Sequence, residues 1–473
     1  MEAEFLSVPR AGRTFRDPAG SVELRPDGAY RFIQPAFEAE LLEFLTSPLA
    51  ARLVEEGRLV SSEVLDPGQH AVADLHGVVL RHPLIAFPSY PWEWSPALWL
   101  AAAELTLGLS RDLLAEGWIL KDATPLNILF RGVEPVFVDV LSVARLNRAE
   151  PIWYAYGQFV RTFLLPLIAN THLGWPLRAT IARRDGYEPE ELYPLLPWTA
   201  RLGQPVRSAV TLPSLLGRMR KGQGTGPSTP RPRDPELVEH ILRQTFARLL
   251  KQVRLATPAP RDSRWTAYSG TATHYSDADH ATKRAFVAEA LQMARPRRVL
   301  DVGCNAGVYS ELATDAGSEV IAIDTDQDTV DRLCTRLKGT GKRIHPLVMN
   351  LANPTPGAGW RNSESAGFLA RCAGKFDGLL MLAVIHHLLL HDHVPLSEVA
   401  GMCRALTSGT LIMEWVPPTD VMFRELVRGR DEIFAGINEP AFRQAFAPFF
   451  LTVAERKLEN GRILFHFERR REG

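Results

Sequence analysis

Apolar and polar residues follow a regular pattern from about residue 282 to the end of the chain. Short apolar runs recur there between stretches with helical spacing, which predicts strands and helices in alternation. That alternation indicates an α/β fold with a Rossmann-like, seven-stranded and mostly parallel sheet. The turn Glu459-Asn460-Gly461 should close a terminal hairpin and add an antiparallel strand at or near one edge. The predicted strands are 298–301, 319–324, 345–349, 376–382, 410–415, 451–456 and 463–468, and the helix before them is 282–293.

The pattern of residues 1–220 is less regular and mixes short strands with helices, which indicates an α+β domain. The clearest helix runs from Ser95 to Glu116, where Ser95 can cap the first turn, Pro96 suits that turn and Gly117 suits the end. Further elements are predicted as strands at 128–130 and 136–140 and as a buried helix at 151–170.

A segment rich in Gly, Pro, Ser and Thr separates these two patterns. It covers residues 221–235 and has the composition of a flexible linker. An amphipathic helix is predicted after it, at 236–255. We therefore expect four parts: an N-terminal domain at 1–220, a linker at 221–235, a helical connector at 236–281 and an α/β domain at 282–473.

Charge and hydropathy exclude several classes of protein. Lys and Arg together number 54, as do Asp and Glu, so the whole chain gives no strong signal for nucleic acid or for an acidic membrane surface. The longest apolar stretches are too short to span a bilayer. The N-terminal residues lack the pattern of a signal peptide. The oligomeric state stays open on these grounds.

The four cysteines all lie in the last third of the chain, and none forms a CxxC pair. They are Cys304, Cys334, Cys372 and Cys403. This spacing argues against structural zinc and against a disulfide framework. A reducing, cytoplasmic setting is the expectation that fits such cysteines best.

The strongest motif is the stretch from Val299 to Gly307, with the sequence VLDVGCNAG. An apolar strand runs into a loop with glycines at 303 and 307, which let the backbone turn sharply and approach a ligand closely. The N-terminus of the next helix stabilises an anionic group in the same crevice. In open α/β sheets, ligands bind there, beyond the carboxyl ends of the strands.

Polar residues follow the next strands at the same edge. Asp324 lies 21 residues after Gly303, at the end of the second strand, where a carboxylate can accept hydrogen bonds from two ribose hydroxyls. Asn350 and Leu351 end the third strand and could meet the edge and face of an adenine ring. The fourth strand runs into the segment 381–388, which lies where a reacting centre is expected.

These motifs resemble the class I methyltransferases that use S-adenosylmethionine. The resemblance rests on DVGCNAG at 301–307, IDTD at 323–326, NL at 350–351, FDGLLMLAVIHHL at 376–388 and TLIMEWV at 410–416. It implies S-adenosylmethionine as the cofactor. Asp301, Gly303 and Gly307 would surround its methionine part, Asp324 its ribose, and Asn350 and Leu351 its adenine. The implied cofactor-binding set also includes Cys304, Asn305 and Leu382.

A dinucleotide oxidoreductase that uses NAD is the main rival for this site. Its fingerprint needs glycines at 305 and 308, but this chain has Asn305 and Val308. Simpler structural roles are also open. Asp324 could cap the following helix, Asn350 could be a turn residue, and Cys304 could be a packing residue.

His386 and His387 are the candidate catalytic residues, because they follow the fourth strand directly. A methyl group on a sulfonium is already activated, so the protein mainly positions the acceptor and excludes water. A base is needed if the acceptor is a hydroxyl, and one of the two imidazoles, with His387 slightly favoured, could serve. No Asn/Asp-Pro-Pro-Tyr element is present, which disfavours transfer to a base or amide nitrogen. We expect a small-molecule or glycan-like acceptor.

A second motif lies in the N-terminal half. Asp122 and Asn127 fall in LKDATPLNILF, and Asp139 follows in VFVDV, an arrangement that resembles the catalytic loop and metal-binding Asp of kinases. In those proteins the Asn and the second Asp hold magnesium. Leu120 and Leu141 replace a His and a Gly of the kinase pattern, and no Gly-rich phosphate loop is present. A degenerate kinase-like fold that serves in binding or scaffolding and an unrelated fold are both open, with active phosphotransfer as a third alternative. Asn127 and Asp139 are metal ligands only if the kinase-like reading holds.

The whole chain resembles the bacterial NoeA-like nodulation-protein methyltransferases. The resemblance rests on LKDATPLNILF, PVFVDVLS, the aromatic stretch WYAYGQFVRTFLLPL at 153–167 and the C-terminal methyltransferase motifs. It implies the two-part architecture but does not identify the acceptor. Two further functions stay open: a two-domain binding or scaffold protein with an inactive methyltransferase fold, and a bifunctional kinase-like and methyltransferase protein.

Overall fold

A computed structural model of the protein describes residues 13–14, 16–65, 77–220, 234–261, 275–430 and 432–471. Contacts divide the chain into two units. The first unit comprises residues 1–259 and 358–365, and the second comprises 260–357 and 366–473. The predicted linker at 221–235 lies outside the described residues except for its last two.

The second unit is built on a seven-stranded sheet. Its strands are β10 (Arg298–Val302), β11 (Glu319–Asp324), β12 (Ile344–Val348), β13 (Gly378–Met381), β14 (Thr410–Trp415), β15 (Phe450–Lys457) and β16 (Ile463–Arg469). They are ordered β12-β11-β10-β13-β14-β16-β15. The first five are parallel, and β16 and β15 join as antiparallel strands. The predicted mostly parallel, Rossmann-like sheet with an antiparallel terminal strand is confirmed.

Burial explains why these segments become strands. Side chains of β13 and β14 are buried on both faces, as expected where helices cover both sides of a parallel sheet. Most of β15 is exposed, which suits an edge strand. The helices of this unit are Asp277–Ala294, Val308–Asp315, Gln327–Leu337, Phe368–Cys372, Ile385–Leu390, Leu396–Leu406, Val421–Val427 and Glu439–Phe446.

An aromatic cluster fastens the terminal hairpin to the sheet. The Phe442 ring lies 4.8 Å from the ring of Trp415 on β14 and 5.2 Å from that of Phe465 on β16, measured between centroids. Phe442 is fully buried. Burial of large aromatic side chains dominates core energetics, so this cluster supplies much of the free energy that holds β16 in place.

The first unit contains a five-stranded antiparallel sheet, ordered β1-β2-β3-β5-β4, and two pairs, β6-β9 and β7-β8. Its strands are β1 (Arg13–Thr14), β2 (Gly20–Arg25), β3 (Gly28–Ile33), β4 (Glu63–Leu65), β5 (Val79–His82), β6 (Trp118–Leu120), β7 (Ile128–Arg131), β8 (Glu134–Phe137) and β9 (Val143–Arg145). Its α-helices are Pro35–Leu45, Pro48–Glu55, Pro96–Ala115, Tyr156–Phe159, Leu165–Leu173, Pro189–Leu192, Trp198–Leu202, Leu212–Arg220 and Pro235–Ala256. The predicted α+β character of this part matches these elements.

The helix predicted at 236–255 is present as Pro235–Ala256, and it packs as part of the first unit. Its buried face includes Val238, Leu242 and Phe246. The Phe246 ring meets that of Trp153 edge to face at 5.0 Å. From the sequence we assigned this helix to a connector. The hydrophobic periodicity of a helix shows that it has an apolar face, but it does not show which element that face packs against.

Several predicted boundaries shift in the structure. Ser95 precedes the helix Pro96–Ala115, but its side chain accepts no capping hydrogen bond. The helix predicted from 151 begins at Tyr156, and the strand predicted to end at 140 ends at Phe137. The helix predicted from 282 begins at Asp277, because Ser276 caps it by accepting from the Asp279 amide. Within the described parts of the chain, no helix is long and apolar enough to cross a membrane.

Truncating Phe442 should destabilise the second unit. Phe442→Ala leaves a cavity at the centre of the aromatic cluster, and we expect the free energy of unfolding to fall by about 3–5 kcal/mol. Urea denaturation followed by circular dichroism measures this. The control Val453→Ala changes an exposed residue of β15 and should cost less than about 0.5 kcal/mol. Equal losses in both variants would contradict a cluster centred on Phe442.

Candidate functional site

A sharp bend follows β10 and starts the site. Gly303 has a φ of +71°, and its amide donates to the Ile323 carbonyl at 2.8 Å, next to the end of β11. A Cβ added at Gly303 would lie 2.4 Å from Cγ2 of Val384, which follows β13. Glycine is needed here both for the left-handed backbone and for the close approach.

Gly307 ends the bend and precedes the helix Val308–Asp315. Its φ is +76°, and an added Cβ would lie 2.6 Å from Cδ1 of Leu333. No side chain caps the first turn of the helix at Gly307. The positive end of this helix therefore adjoins the loop from 303 to 307, as the sequence predicted.

Asp324 lies directly against the bend. Its Oδ2 accepts from the Asn305 amide at 2.9 Å, and its Oδ1 accepts from the Asp326 amide at 3.0 Å. Burial raises the pKa of Asp324, while these backbone amides oppose the shift. The cap of the helix Gln327–Leu337 is Asp326, whose side chain accepts from Thr329. Asp324 thus does not serve as the cap that the sequence left open.

Asp301 lies beneath the bend, within β10. Its side chain is 1% exposed and accepts from the Ser310 hydroxyl at 2.5 Å. Burial and, to a smaller extent, the charge of Asp324 raise the pKa of Asp301 to about 6, against the opposing effect of the Ser310 hydrogen bond. The carboxyl therefore helps to join β10 to the helix after the bend.

Two predicted site residues have local structural roles. The Asn350 side chain accepts from the Ala352 amide at 2.8 Å, as a turn residue does. Cys304 is buried, and burial raises the pKa of its thiol well above the ordinary value, which agrees with a packing residue. Leu351 and Leu382 are both buried near the strand ends. The Met349 amide donates to the Asp324 carbonyl, which places the Asn350 turn beside Asp324.

The two histidines differ in their surroundings. His386 is 1% exposed, and its Nδ1 finds no hydrogen-bond partner among the described residues. Burial lowers the pKa of His386 well below its ordinary value, and the neighbouring His387 and Arg462 lower it further. His387 is half-buried, with its ring 4.2 Å from that of His386. Neither caps the helix Ile385–Leu390, in which no side chain caps the N-terminus.

The sequence did not reveal a buried charge network in this unit. Lys283 donates to Glu414 at 2.6 Å, and the Arg462 guanidinium donates to Asp420 at 2.8 Å. The Tyr275 hydroxyl donates to Glu414 at 2.5 Å and accepts from Arg462. Although burial opposes its charge, Lys283 and Arg462 hold the pKa of Glu414 below its ordinary value. The signal available in the sequence was an acid inside the apolar strand TLIMEW.

This network is electrostatically coupled to the bend and to His386. Arg462 and Lys283 both disfavour the charged form of His386, and Lys283 favours the charged form of Asp301. The Lys283 ammonium also lies 5.2 Å from the centre of the Tyr309 ring, on the helix after the bend. The site thus combines a glycine bend, two acids, a buried neutral histidine and a set of internally paired charges.

Comparison with known proteins shows the family. The chain is 33% identical to nodulation protein NoeA of Rhizobium meliloti (strain 1021) over 477 residues, covering 98% of this chain and 97% of that protein. The chain therefore belongs to the NoeA family. No family model matches it.

Less than half of the chain also aligns with solved structures. The PH0226 protein of Pyrococcus horikoshii OT3 is 19% identical and aligns over 43% of this chain and 98% of its own, with a TM-score of 0.31. The N-methyltransferase NodS of Bradyrhizobium japonicum WM9, in complex with S-adenosylhomocysteine, is 13% identical over 44% and 99%, with a TM-score of 0.32. Neither likeness bears on what this chain does.

The Asp301 carboxyl should make stability depend on pH. Its pKa is raised from 3.8 unfolded to about 6 folded, so its contribution is fully present below pH 4 and is lost as pH rises through 6. Relative to Asp301→Asn, the wild type should lose about 2 kcal/mol of unfolding free energy between pH 4 and pH 7. Urea denaturation across this range measures the difference.

The control for this experiment is Asp315→Asn, which changes an exposed carboxyl at the end of the helix Val308–Asp315. Its stability curve should run parallel to that of the wild type over the same pH range. A wild-type curve parallel to that of Asp301→Asn would show that Asp301 titrates alike in the folded and unfolded chain, against the burial seen here.

Proposed function

We propose that the second unit is an S-adenosylmethionine-dependent methyltransferase that acts on a small-molecule or glycan-like acceptor. One observation carries the proposal: the Asp324 carboxylate contacts the 303–307 bend directly, beyond the carboxyl ends of β10 and β11. The chain crosses from one side of β10 to the other between β12 and β13, so this edge is the topological switch point of the sheet. Ligands of open α/β sheets bind at such points.

The residues present fit this cofactor. Both oxygens of Asp324 accept backbone hydrogen bonds, and a carboxylate has about four acceptor positions, so it could also accept from ribose hydroxyls. Asp301, Gly303 and Gly307 would lie around the methionine part, with the helix N-terminus nearby. Leu351 supplies an apolar surface for the adenine. When bound, the cofactor supplies a methyl group on a sulfonium, already activated for transfer.

A dinucleotide-dependent oxidoreductase fits less well. Asn305 has a φ of +45° in the place of the second fingerprint glycine, and its side chain would crowd a pyrophosphate at the bend. Val308 replaces the third glycine. Asp324 suits either cofactor, since both carry a ribose.

His386 is the residue that we propose faces the acceptor. A buried imidazole nitrogen without a partner costs about 1–3 kcal/mol, which an acceptor hydroxyl or amine would offset by hydrogen bonding. Its lowered pKa keeps the ring neutral at pH 7, so that a ring nitrogen can accept a hydrogen bond from the acceptor group. His387, favoured slightly by the sequence, is the alternative base.

The charges beside His386 indicate the polarity of the acceptor. Lys283 is paired with Glu414, and Arg462 with Asp420, so the network offers little net charge to a ligand. A charged phosphate or carboxylate would lose hydration without gaining a free partner there. We therefore propose an uncharged polar acceptor group. The relative is named a nodulation protein, and we therefore propose that the acceptor is a molecule used in nodulation.

Cofactor binding tests the proposal first. We expect the full chain to bind S-adenosylhomocysteine by calorimetry, and Gly303→Ala to bind at least about tenfold more weakly, because its Cβ displaces the bend against Val384. The control Gly317→Ala also sits at a positive φ but meets no atom within 4 Å, so it should bind within about twofold of the wild type. Binding of NADH without S-adenosylhomocysteine would refute the methyltransferase.

Methyl transfer tests the acceptor side. With labelled S-adenosylmethionine and a panel of monosaccharides, oligosaccharides and small alcohols, His386→Gln should reduce transfer by about 100-fold or more. Its affinity for S-adenosylhomocysteine should stay unchanged. The control His391→Gln alters a side chain that is 74% exposed and should keep full activity. Loss of transfer in His387→Gln with full activity in His386→Gln would assign the base to His387 instead.

The same assay distinguishes an active methyltransferase from a scaffold protein with an inactive methyltransferase fold. A protein that binds S-adenosylhomocysteine but transfers no methyl group to any member of the panel would be a binding or scaffold protein with an inactive fold. The intact bend, Asp301 and Asp324 support activity over that alternative.

A further inference from the structure

A buried polar cluster in the first unit joins the five-stranded sheet to the loop after β8. Arg31 lies on β3 and is 7% exposed. Its Nη1 donates to Asp139 Oδ1 at 2.6 Å, and its Nη2 donates to the Val138 carbonyl at 3.1 Å. A charge-assisted hydrogen bond in a buried setting is among the stronger ones that proteins form.

The second oxygen of Asp139 is also engaged. The Ser142 hydroxyl donates to Asp139 Oδ2 at 2.5 Å, and the Asn127 amide nitrogen donates to Ser142 Oγ at 3.0 Å. Asn127 and Asp139, which the sequence paired as kinase-like metal ligands, are thus brought together through Ser142. Both carboxylate oxygens of Asp139 already accept hydrogen bonds from protein groups.

Asp122, the third residue of that motif, lies close to the cluster. The charge of Asp139 and, more strongly, burial raise the pKa of Asp122. Gln158 accepts from the Ala123 amide at 2.6 Å and thereby braces the loop that carries Asp122. The three motif residues are therefore neighbours in the structure, as the kinase resemblance implies.

These residues do not fit a divalent cation. Magnesium takes oxygen ligands at about 2.0–2.1 Å in near-octahedral geometry. The Arg31 guanidinium already lies 2.6 Å from Asp139 Oδ1, and the Ser142 hydroxyl donates to Oδ2. Among the described residues, no group of three or more His, Cys, Asp or Glu side chains could hold a metal.

We propose that the Arg31 guanidinium permanently takes the place of the divalent cation in this cluster. Like the ion, it neutralises Asp139, but it ties the carboxylate to β3 and leaves no room for a metal. The first unit then keeps the kinase-like arrangement of Asp122, Asn127 and Asp139 without metal-dependent phosphoryl transfer. This inference is independent of the methyltransferase proposed for the second unit.

Of Arg31 and its neighbour His82, only Arg31 carries a positive charge at neutral pH. His82 on β5 is paired in register with Ala29, two residues before Arg31, so both side chains lie on the same face of the sheet. Burial lowers the pKa of His82 to about 4, and the Arg31 charge contributes, so His82 is neutral at pH 7. Its Nδ1 lies 3.1 Å from the Ser61 carbonyl. Arg31 therefore supplies the positive charge that meets Asp139.

Removing the guanidinium should open a metal site. We expect the full-length wild type to bind no Mn²⁺ at this cluster in an electron paramagnetic resonance titration. Arg31→Met should gain a Mn²⁺ site at least tenfold tighter than any wild-type binding, and Arg31→Met with Asp139→Asn should lose it. Arg31→Lys keeps a cation beside Asp139 and should remain without metal.

Controls keep this test decisive. Arg81→Met removes an arginine of the same sheet that is 43% exposed and should leave Mn²⁺ binding as in the wild type. Unchanged affinity for S-adenosylhomocysteine would show that the second unit is intact in each variant, and Arg31→Gln replaces Arg31→Met if the latter does not fold. The proposal is overturned if wild-type protein binds Mn²⁺ or Mn²⁺-ATP in a manner lost in Asp139→Asn, or if folded Arg31→Met gains no site.

Discussion

The contact between the Asp324 carboxylate and the Asn305 amide is the constraint on which the candidate site depends. It joins the end of β11 to the bend after β10 and fixes the loop from 303 to 307 in its left-handed turns. The two carboxylate oxygens accept from the Asn305 and Asp326 amides, and these hydrogen bonds oppose the rise that burial causes in the pKa of Asp324. In the function proposed above, the same carboxyl would also accept hydrogen bonds from the ribose hydroxyls of the cofactor.

The two units use buried charge pairs for different purposes. In the second unit, Lys283 and Arg462 balance the charges of Glu414 and Asp420 within one buried network. In the first unit, Arg31 and Asp139 pair at the position where the kinase resemblance would place a metal. Buried pairs of this kind add little net stability, but the loss of one partner is costly, so each pair also fixes a geometry.

Much of the second unit could be predicted from sequence, and less of the site. Strand β14 and the bend at Gly303 follow from local patterns: a continuous apolar run, and a glycine where the chain must turn. The predicted pair His386 and His387 could not be separated, because residues adjacent in a helix face different directions and only packing decides which one is buried. For Asn350, the local turn that its side chain makes was one of two roles that the sequence allowed.

By itself, the sequence determined the alternation of strands and helices in the α/β part, the antiparallel terminal hairpin and the glycines of the bend, since each depends on residues close together in the chain. Tertiary structure alone decided which charges meet. Arg31 and Asp139 are 108 residues apart, and Lys283 and Glu414 are 131 apart. The periodicity of hydrophobic residues shows which positions are buried. It carries no information about which distant residue will neutralise a charge at a buried position.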